Sequence, residues 1–278
     1  EFAGETTDEA PVLENRFYRV GIAPDGAIRS LYDKELGREL LDPDCGTNLN
    51  AFLYTRDNHR TFAKPERRGA FRVCRDARGG EVRFVWAHAA LGAEIRVAVR
   101  LGEERKALEI VNEFRHARDL FNTNRYFRYG YTAFPFAVPD GRFSAQLNGP
   151  VMRPYEDLTG HNTDAYVAAR DWVAVDNGEF GVAVIAPDSH LFEFGKISPD
   201  KTVFGEFPEN THIYNYLFTD WLQMHVPSGD FLNPRFRYWI TSFRGDWKQA
   251  HVPNFAESCL APFPVGEYFR ISVSNVTL

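Results

Sequence analysis

Apolar and polar side chains alternate with a period of two along much of this chain. Phe71 and Val73 flank Arg72, and Val82, Phe84 and Trp86 alternate with Arg83. Ile95, Val97, Val99 and Leu101 alternate with Glu94, Arg96 and Arg100, and Leu108 and Ile110 flank Glu109. Successive residues of a strand point to opposite faces, so this pattern predicts an antiparallel meander with one buried and one wet face. Turns at Arg78-Gly79-Gly80 and Gly102-Glu103-Glu104-Arg105 separate its strands. No segment of comparable length carries a helical period of 3.6. The predicted fold class is all-β and antiparallel, with little helix.

The stretch from Asp171 to Gly195 departs from the alternation. Asn177-Gly178 accepts the positive φ of a tight hairpin turn. The arms beside it, Trp172, Val173 and Val175 before the turn and Phe180, Val182, Val184 and Ile185 after it, are apolar on nearly every position. Both faces of this hairpin are therefore expected to be covered, which places it centrally in a layered β structure. Further strands are expected over Val12–Val20, Ala27–Tyr32, Ala51–Tyr54, Thr211–Phe218 and Arg235–Phe243. Pro24-Asp25-Gly26 and Asp33 to Gly37 read as turns. Pro135 places the aromatic run Asn122–Val138 at a sheet edge or a bulge. Gly149–Ala169, Lys196–Asn210 and Thr219–Pro234 read as loops, and loops of that length are often functional. Thr55–Gly69 reads as a charged, solvated loop or the rim of a cleft. From Pro253 the chain is rich in proline.

Organisation follows from these elements. Residues 1–11 are acidic and polar and read as a linker or frayed start. Residues 12–263 form one β domain, and 264–278 begin a further β segment. The absence of Met at position 1 and the strand pattern interrupted at Leu278 are expected of a piece of a longer protein.

Composition narrows the function classes. Aromatic residues make up 15% of the chain, which suits both strands and sugar-facing surfaces. The net charge of -6, with no basic stripe or nucleic-acid motif, argues against a nucleic-acid partner. No apolar run is long enough for a membrane-spanning helix. Cys45, Cys74 and Cys259 are too scattered for a disulfide framework or a zinc cluster and read as buried small residues. With no signal peptide in view, the expected location is cytoplasmic. Asn275-Val276-Thr277 matches a glycosylation sequon, a weak signal by itself.

Four ordered stretches carry a family resemblance. Leu13–Leu41 contains E-N-R-F-Y-R-V and, further on, S-L-Y-D-K-E-L-G-R-E-L. Tyr131–Phe136 reads Y-T-A-F-P-F. The hairpin reads W-V-A-V-D-N-G-E-F-G-V. Ile213-Tyr214-Asn215-Tyr216 precedes F-R-Y-W-I-T-S at Phe236–Ser242. Together, over about Leu13 to Phe263, they resemble the C-terminal β-sandwich domain of glycoside hydrolase family 38, the α-mannosidases. The resemblance implies a galactose-mutarotase-like β supersandwich. It also implies a parent that cleaves α-mannosides or related sugars in a separate N-terminal catalytic barrel, which holds a zinc ion and the nucleophilic carboxylate. This chain would then need no cofactor of its own. It would pack on that barrel, help wall a carbohydrate cleft and not be catalytic alone.

Site candidates follow from that comparison. Relatives often carry N-N-Y-W-x-T-N after the I-Y-x-Y strand, where this chain has Thr219-Asp220-Trp221-Leu222-Gln223-Met224-His225. Asp220, Trp221 and His225 read either as an aromatic platform with polar partners for a sugar or as a loop anchor with turn caps. Tyr126, Tyr129 and Tyr131 read as cleft-lining residues or as core pairs. His161, with Tyr155, Glu156 and Asp157, sits in a long loop that reads as solvated. Arg125 belongs to Asn122-Thr123-Asn124-Arg125-Tyr126-Phe127. That stretch is similar to the N-x-T-N-H-x-Y-F of aldose 1-epimerases, but arginine stands at or near the position of the acid histidine. A guanidinium stays protonated and cannot exchange a proton in turnover. Glu193 could imitate the epimerase base, and strand alternation turns it away from Phe192 and Phe194, toward solvent or a partner domain. Carbohydrate binding without catalysis and epimerisation thus stand beside the hydrolase reading.

Overall fold

The computed structural model describes residues 4–55, 61–115, 129–157, 166–198, 208–219 and 234–260. Three antiparallel sheets carry nearly all of the regular structure. The largest has ten strands in the order β1 (Glu5–Thr7), β7 (Glu66–Asp76), β8 (Gly79–His88), β9 (Ala93–Gly102), β10 (Leu108–Arg115), β19 (Arg235–Arg244), β16 (Phe180–Ile185), β15 (Trp172–Asp176), β12 (Arg142–Gln146) and β13 (Val151–Met152). A five-stranded sheet runs β14 (Val167–Ala168), β17 (Leu191–Phe194), β18 (His212–Thr219), β11 (Tyr129–Pro135) and β6 (Phe52–Thr55). A four-stranded sheet runs β2 (Val12–Glu14), β3 (Tyr18–Ile22), β4 (Ile28–Asp33) and β5 (Arg38–Glu39).

The meander β7–β10 forms as the alternation predicts, with each strand paired to the next. Its apolar residues join one continuous core with the inward faces of the two smaller sheets. The hairpin β15–β16 lies inside the large sheet and is buried on both faces. Val173, Val175, Val182 and Val184 point into the main core. Trp172, Ala174, Ala183 and Ile185 point outward into a second cluster, closed by helix α1 (Val252–Leu260) through Val252, Ala256 and Cys259. Each fully buried valine or isoleucine here contributes about 1.5–3 kcal/mol relative to exposure.

A buried polar knot ties the four-stranded sheet to the large one. Asp33 has 0% exposure. Its Oδ1 accepts from the amides of Glu35 at 2.7 Å and Leu36 at 2.8 Å, and its Oδ2 accepts from Lys106 Nζ at 2.9 Å and from the Ser242 hydroxyl. The Ser242 amide donates to the Tyr18 hydroxyl at 2.8 Å. Burial alone would raise the Asp33 carboxyl, but these donors outweigh it and hold it below its ordinary range.

Several expectations are corrected. Val12–Val20 is two strands, because the Asn15 side chain accepts from the amides of Phe17 and Tyr18 and turns the chain between them. β7 starts at Glu66, inside the stretch read as loop. Glu5–Thr7 is an edge strand on β7, so part of the acidic start is ordered pairing and not linker. Pro135 is at neither an edge nor a bulge. It ends β11, which lies between β18 and β6, and the bulge falls at Gly130/Tyr131. The proline-rich stretch opens with helix α1, whose first turn tolerates Pro253 because that turn's amides lack intrahelical acceptors. The segment 264–278 lies outside the described residues. No helix among the described residues is long and apolar enough to cross a membrane.

Candidate functional site

The outward face of β7–β10 and β19 carries a hollow of about 530 Å³. Strand register explains its shape. Residues directly opposite across strands share a face. One row therefore runs Arg72, Arg83, Ala98, Val111, Arg237. The rows on either side run Arg68, Val85, Arg96, Glu113, Arg235 and Cys74, Glu81, Arg100, Glu109, Trp239. The small side chains of Ala98 and Val111 make a low floor at the centre, and the long side chains around them make the walls.

Six arginines (68, 72, 83, 96, 100 and 235) and one glutamate line this hollow, although the whole chain carries a charge of -6. Glu81 joins Arg83 at 2.6 Å and Arg100 at 3.0 Å, and Arg100 reaches Glu109 at 3.1 Å. Glu113 joins Arg115 at 3.3 Å and Arg235 at 3.5 Å. Burial would lower the Arg100 guanidinium, and Glu81 and Glu109 outweigh it and raise it. At the edge, Arg237 grips Asp188 with two nitrogens, each at 2.8 Å, and this pair raises the guanidinium. These ion pairs fix the arms of Arg83, Arg100 and Arg235 in place. What they present is an array of N–H forks beside carboxylate acceptors, a surface suited to hydroxyl groups or anions. The carboxylates in this array are bound to arginine, which makes them acceptors in a recognition surface rather than a paired acid and base.

Of the residues singled out from sequence, the described Tyr129 and Tyr131 do not line this hollow. Asp220, Trp221, His225, Arg125, Tyr126 and His161 lie outside the described residues. Tyr131 has 0% exposure and stacks on Tyr216 at 5.0 Å with 19° between the rings. Tyr129 packs against the same Tyr216. Both are buried aromatics, and the register puts Tyr131 and Tyr216 on the face of the five-stranded sheet opposite Thr132 and Asn215, which meet Tyr238 of the large sheet. Glu193 is a correction: it keeps the face opposite Phe192 and Phe194, together with Tyr131 and Tyr216, but it has 0% exposure, and its Oε2 accepts from the Ser198 amide at 2.8 Å. Tyr131 hydrogen-bonds to the same carboxylate. The alternation argument took Phe192 and Phe194 to be the buried face, but in the five-stranded sheet both faces of β17 are covered. The carboxylate is thus enclosed and not turned toward solvent. The cysteines also differ from expectation, since only Cys259 is fully buried and Cys45 and Cys74 are half-buried.

Among the described residues no group of three His, Cys, Asp or Glu side chains is arranged to hold a metal ion. The sequence pattern missed the arginine hollow for a simple reason. It showed Arg83, Arg96 and Arg100 as outward positions, but only the register shows that they converge around Ala98 and Val111.

Comparisons with known proteins fit this architecture. Residues 13–191 match the model of the glycosyl hydrolases family 38 C-terminal domain. An alpha-mannosidase from Enterococcus faecalis V583 superposes with a TM-score of 0.58 at 13% identity, covering 93% of this chain and 32% of that one. A family 38 glycosyl hydrolase protein from Enterococcus faecalis gives a TM-score of 0.56 at 13% identity, covering 93% and 33%. A galactose mutarotase-like protein from Lactobacillus casei ATCC 334 gives a TM-score of 0.48 at 15% identity, covering 84% and 100%. The chain thus spans about a third of the length of the first two. No curated protein matches it in sequence.

Proposed function

The chain belongs to the glycosyl hydrolase family 38 C-terminal domain family, and from that premise we propose that it is the β domain of an α-mannosidase-type glycoside hydrolase. In this reading it supports and walls the sugar cleft of a catalytic domain in the same parent chain. The carrying observation is the match over residues 13–191. The zinc ion and the nucleophilic carboxylate belong to that catalytic domain. The contribution of this chain is positional: its arginine forks donate to sugar hydroxyls, and its rigid double-sided hairpin holds the face that presents them. Binding energy of this kind orients a substrate without taking part in bond cleavage.

The test uses the parent enzyme. Release of an aryl α-mannoside is measured for the catalytic domain with and without this chain. The expected outcome is that hydrolysis requires both and that this chain alone gives the buffer rate. Full hydrolysis by the catalytic domain alone would overturn the proposal.

The hollow favours a second reading, carbohydrate binding without catalysis, because about 530 Å³ lies within the usual range of small-ligand sites. Titration of the isolated chain with a panel of monosaccharides and mannobioses, followed by calorimetry, tests it. Flat isotherms across the panel remove that reading and leave the first standing.

A further inference from the structure

A second side-chain cluster lies far from the hollow, where the loop after β5 meets the start of β18. The Asp42 amide donates to the Pro135 carbonyl at 2.8 Å and pins the loop to the end of β11. The Asp44 amide donates to Asp42 Oδ1 at 2.9 Å, which leaves Oδ2 free for another partner. That partner is His212 Nε2, at 2.7 Å. On the other side of the ring, His212 Nδ1 lies 3.6 Å from the sulfur of Cys45. The imidazole thus stands between a thiol and a carboxylate, with one nitrogen given to each.

The surroundings suit an anionic sulfur. The Tyr214 ring stands edge-on to His212, with 6.5 Å between the ring centroids. Burial would raise this thiol, and the bond to His212 and the imidazole's charge outweigh it and bring it below its ordinary value. Burial would lower His212, and Cys45 and Asp42 outweigh it and raise the ring. Both shifts favour a thiolate beside a protonated imidazole over the neutral pair. The titratable groups about the sulfur are His212 and Asp42, with Tyr214 further along β18; Lys64 reaches only the neighbouring Gly46 carbonyl, at 3.5 Å. The half-buried sulfur sits next to Gly46, beside which a side-chain carbon would meet nothing within 4 Å.

We propose that Cys45, His212 and Asp42 form a reactive-thiol site at which Cys45 exchanges with low-molecular-weight disulfides. The Cys45 thiolate attacks one sulfur of the disulfide. A new sulfur–sulfur bond forms to Cys45, the original one breaks, and the electron pair leaves on the departing thiolate. His212, having lost its anionic partner, releases its proton to that thiolate or to water. Cys45 is oxidised to a mixed disulfide and half of the reagent is reduced to a thiol. Asp42 is a positioning residue that holds the ring in register.

The other two cysteines are internal controls. Cys74 is half-buried on the outward row of β7, and Cys259 is buried under α1 with its thiol pushed up to about 11. The experiment reacts the purified chain with iodoacetamide over about pH 5.5 to 8.5, and separately with oxidised glutathione, and follows each cysteine by the mass of its own peptide. Near pH 6, Cys45 is expected to react roughly tenfold faster than Cys74, with a profile displaced to lower pH. His212→Gln should bring Cys45 onto the Cys74 profile. Asp42→Asn should move it part of the way. Cys259 becoming reactive in a variant reports unfolding, and the wild-type profiles then decide alone. Coincident profiles for Cys45 and Cys74, or a mixed disulfide on Cys74 but not on Cys45, would overturn the proposal.

Discussion

The outward face of the large sheet has two halves built from one backbone pattern. A single row crosses both: Cys74, Glu81, Arg100, Glu109, Trp239, Ile185, Trp172. On the β7–β10 side the row alternates charges from Glu81 to Glu109, and its Arg100 lines the hollow. On the β19–β16–β15 side it is apolar and lies under α1. Strand pairing is the same throughout, so pairing does not set the chemistry of the face; the presence or absence of a covering layer does. Under the helix, buried area supplies stability. In the open half, half-exposed ion pairs contribute little, typically about 0–1 kcal/mol each. Stability should concentrate in the covered half and recognition in the open one.

The largest expected effect tests the covered half. Trp172 is fully buried and packs against Trp247 at 5.5 Å between ring centroids. Trp172→Ala should cost about 3–5 kcal/mol, from lost transfer energy and the cavity left behind. Urea unfolding reads this as a lower midpoint with an unchanged slope. An Arg83→Ala loss of equal size would erase the distinction between the halves.

A pH effect comes next. Asp176, at 4% exposure, ends β15 in the covered half, and its Oδ2 lacks a hydrogen-bond partner among the described residues. Burial raises its carboxyl, assisted by Asp246 and opposed by Arg153. A raised folded value means that the folded state binds the proton more tightly than the unfolded chain. Its stabilising contribution is present below the unfolded value of about 3.9 and is lost as pH rises through the folded value. Asp33 runs the other way: with its value depressed, its contribution is present above about 3.9 and is lost as pH falls through the folded value. Stability of Asp176→Asn relative to wild type should therefore improve from pH 4 to pH 7, and that of Asp33→Asn should worsen. Paired denaturation curves at the two pH values check both signs. A common direction would contradict the burial argument.

Much of this division was legible in the sequence. The unbroken apolar arms of the hairpin announced two covered faces, and the alternation in β7–β10 announced one wet face. What covers the outer side of the hairpin was not legible, because α1 is nine residues long and begins beside a proline. The hollow was hidden because it depends on register across five strands. The Cys45–His212 contact was hidden because it joins positions 167 residues apart. Glu193 misled because alternation identifies an exposed face only where one side of a sheet is open. The polar candidates around Asp220 rested on a family comparison, and the outward arginines looked like any solvated row.

The smallest expected change in stability is the most informative about function. Arg96 lines the hollow and has no ion pair among the described residues. Arg96→Ala should therefore shift stability by no more than about 0.5 kcal/mol. Arg100 lines the same hollow but bridges Glu81 and Glu109, so Arg100→Ala also leaves two neighbouring carboxylates facing each other without their shared cation. The two variants thus separate a structural role from a recognition role at neighbouring positions on one strand. If the hollow meets the sugar, each should raise KM of the assembled parent enzyme by about tenfold, the worth of one hydrogen bond to a charged donor, with kcat nearly unchanged. If KM instead follows stability, so that Arg100→Ala changes it and Arg96→Ala does not, the ion-pair network matters only as scaffold. The arginine rows would then be a solvated face, and the sugar contacts of the parent would have to come from elsewhere.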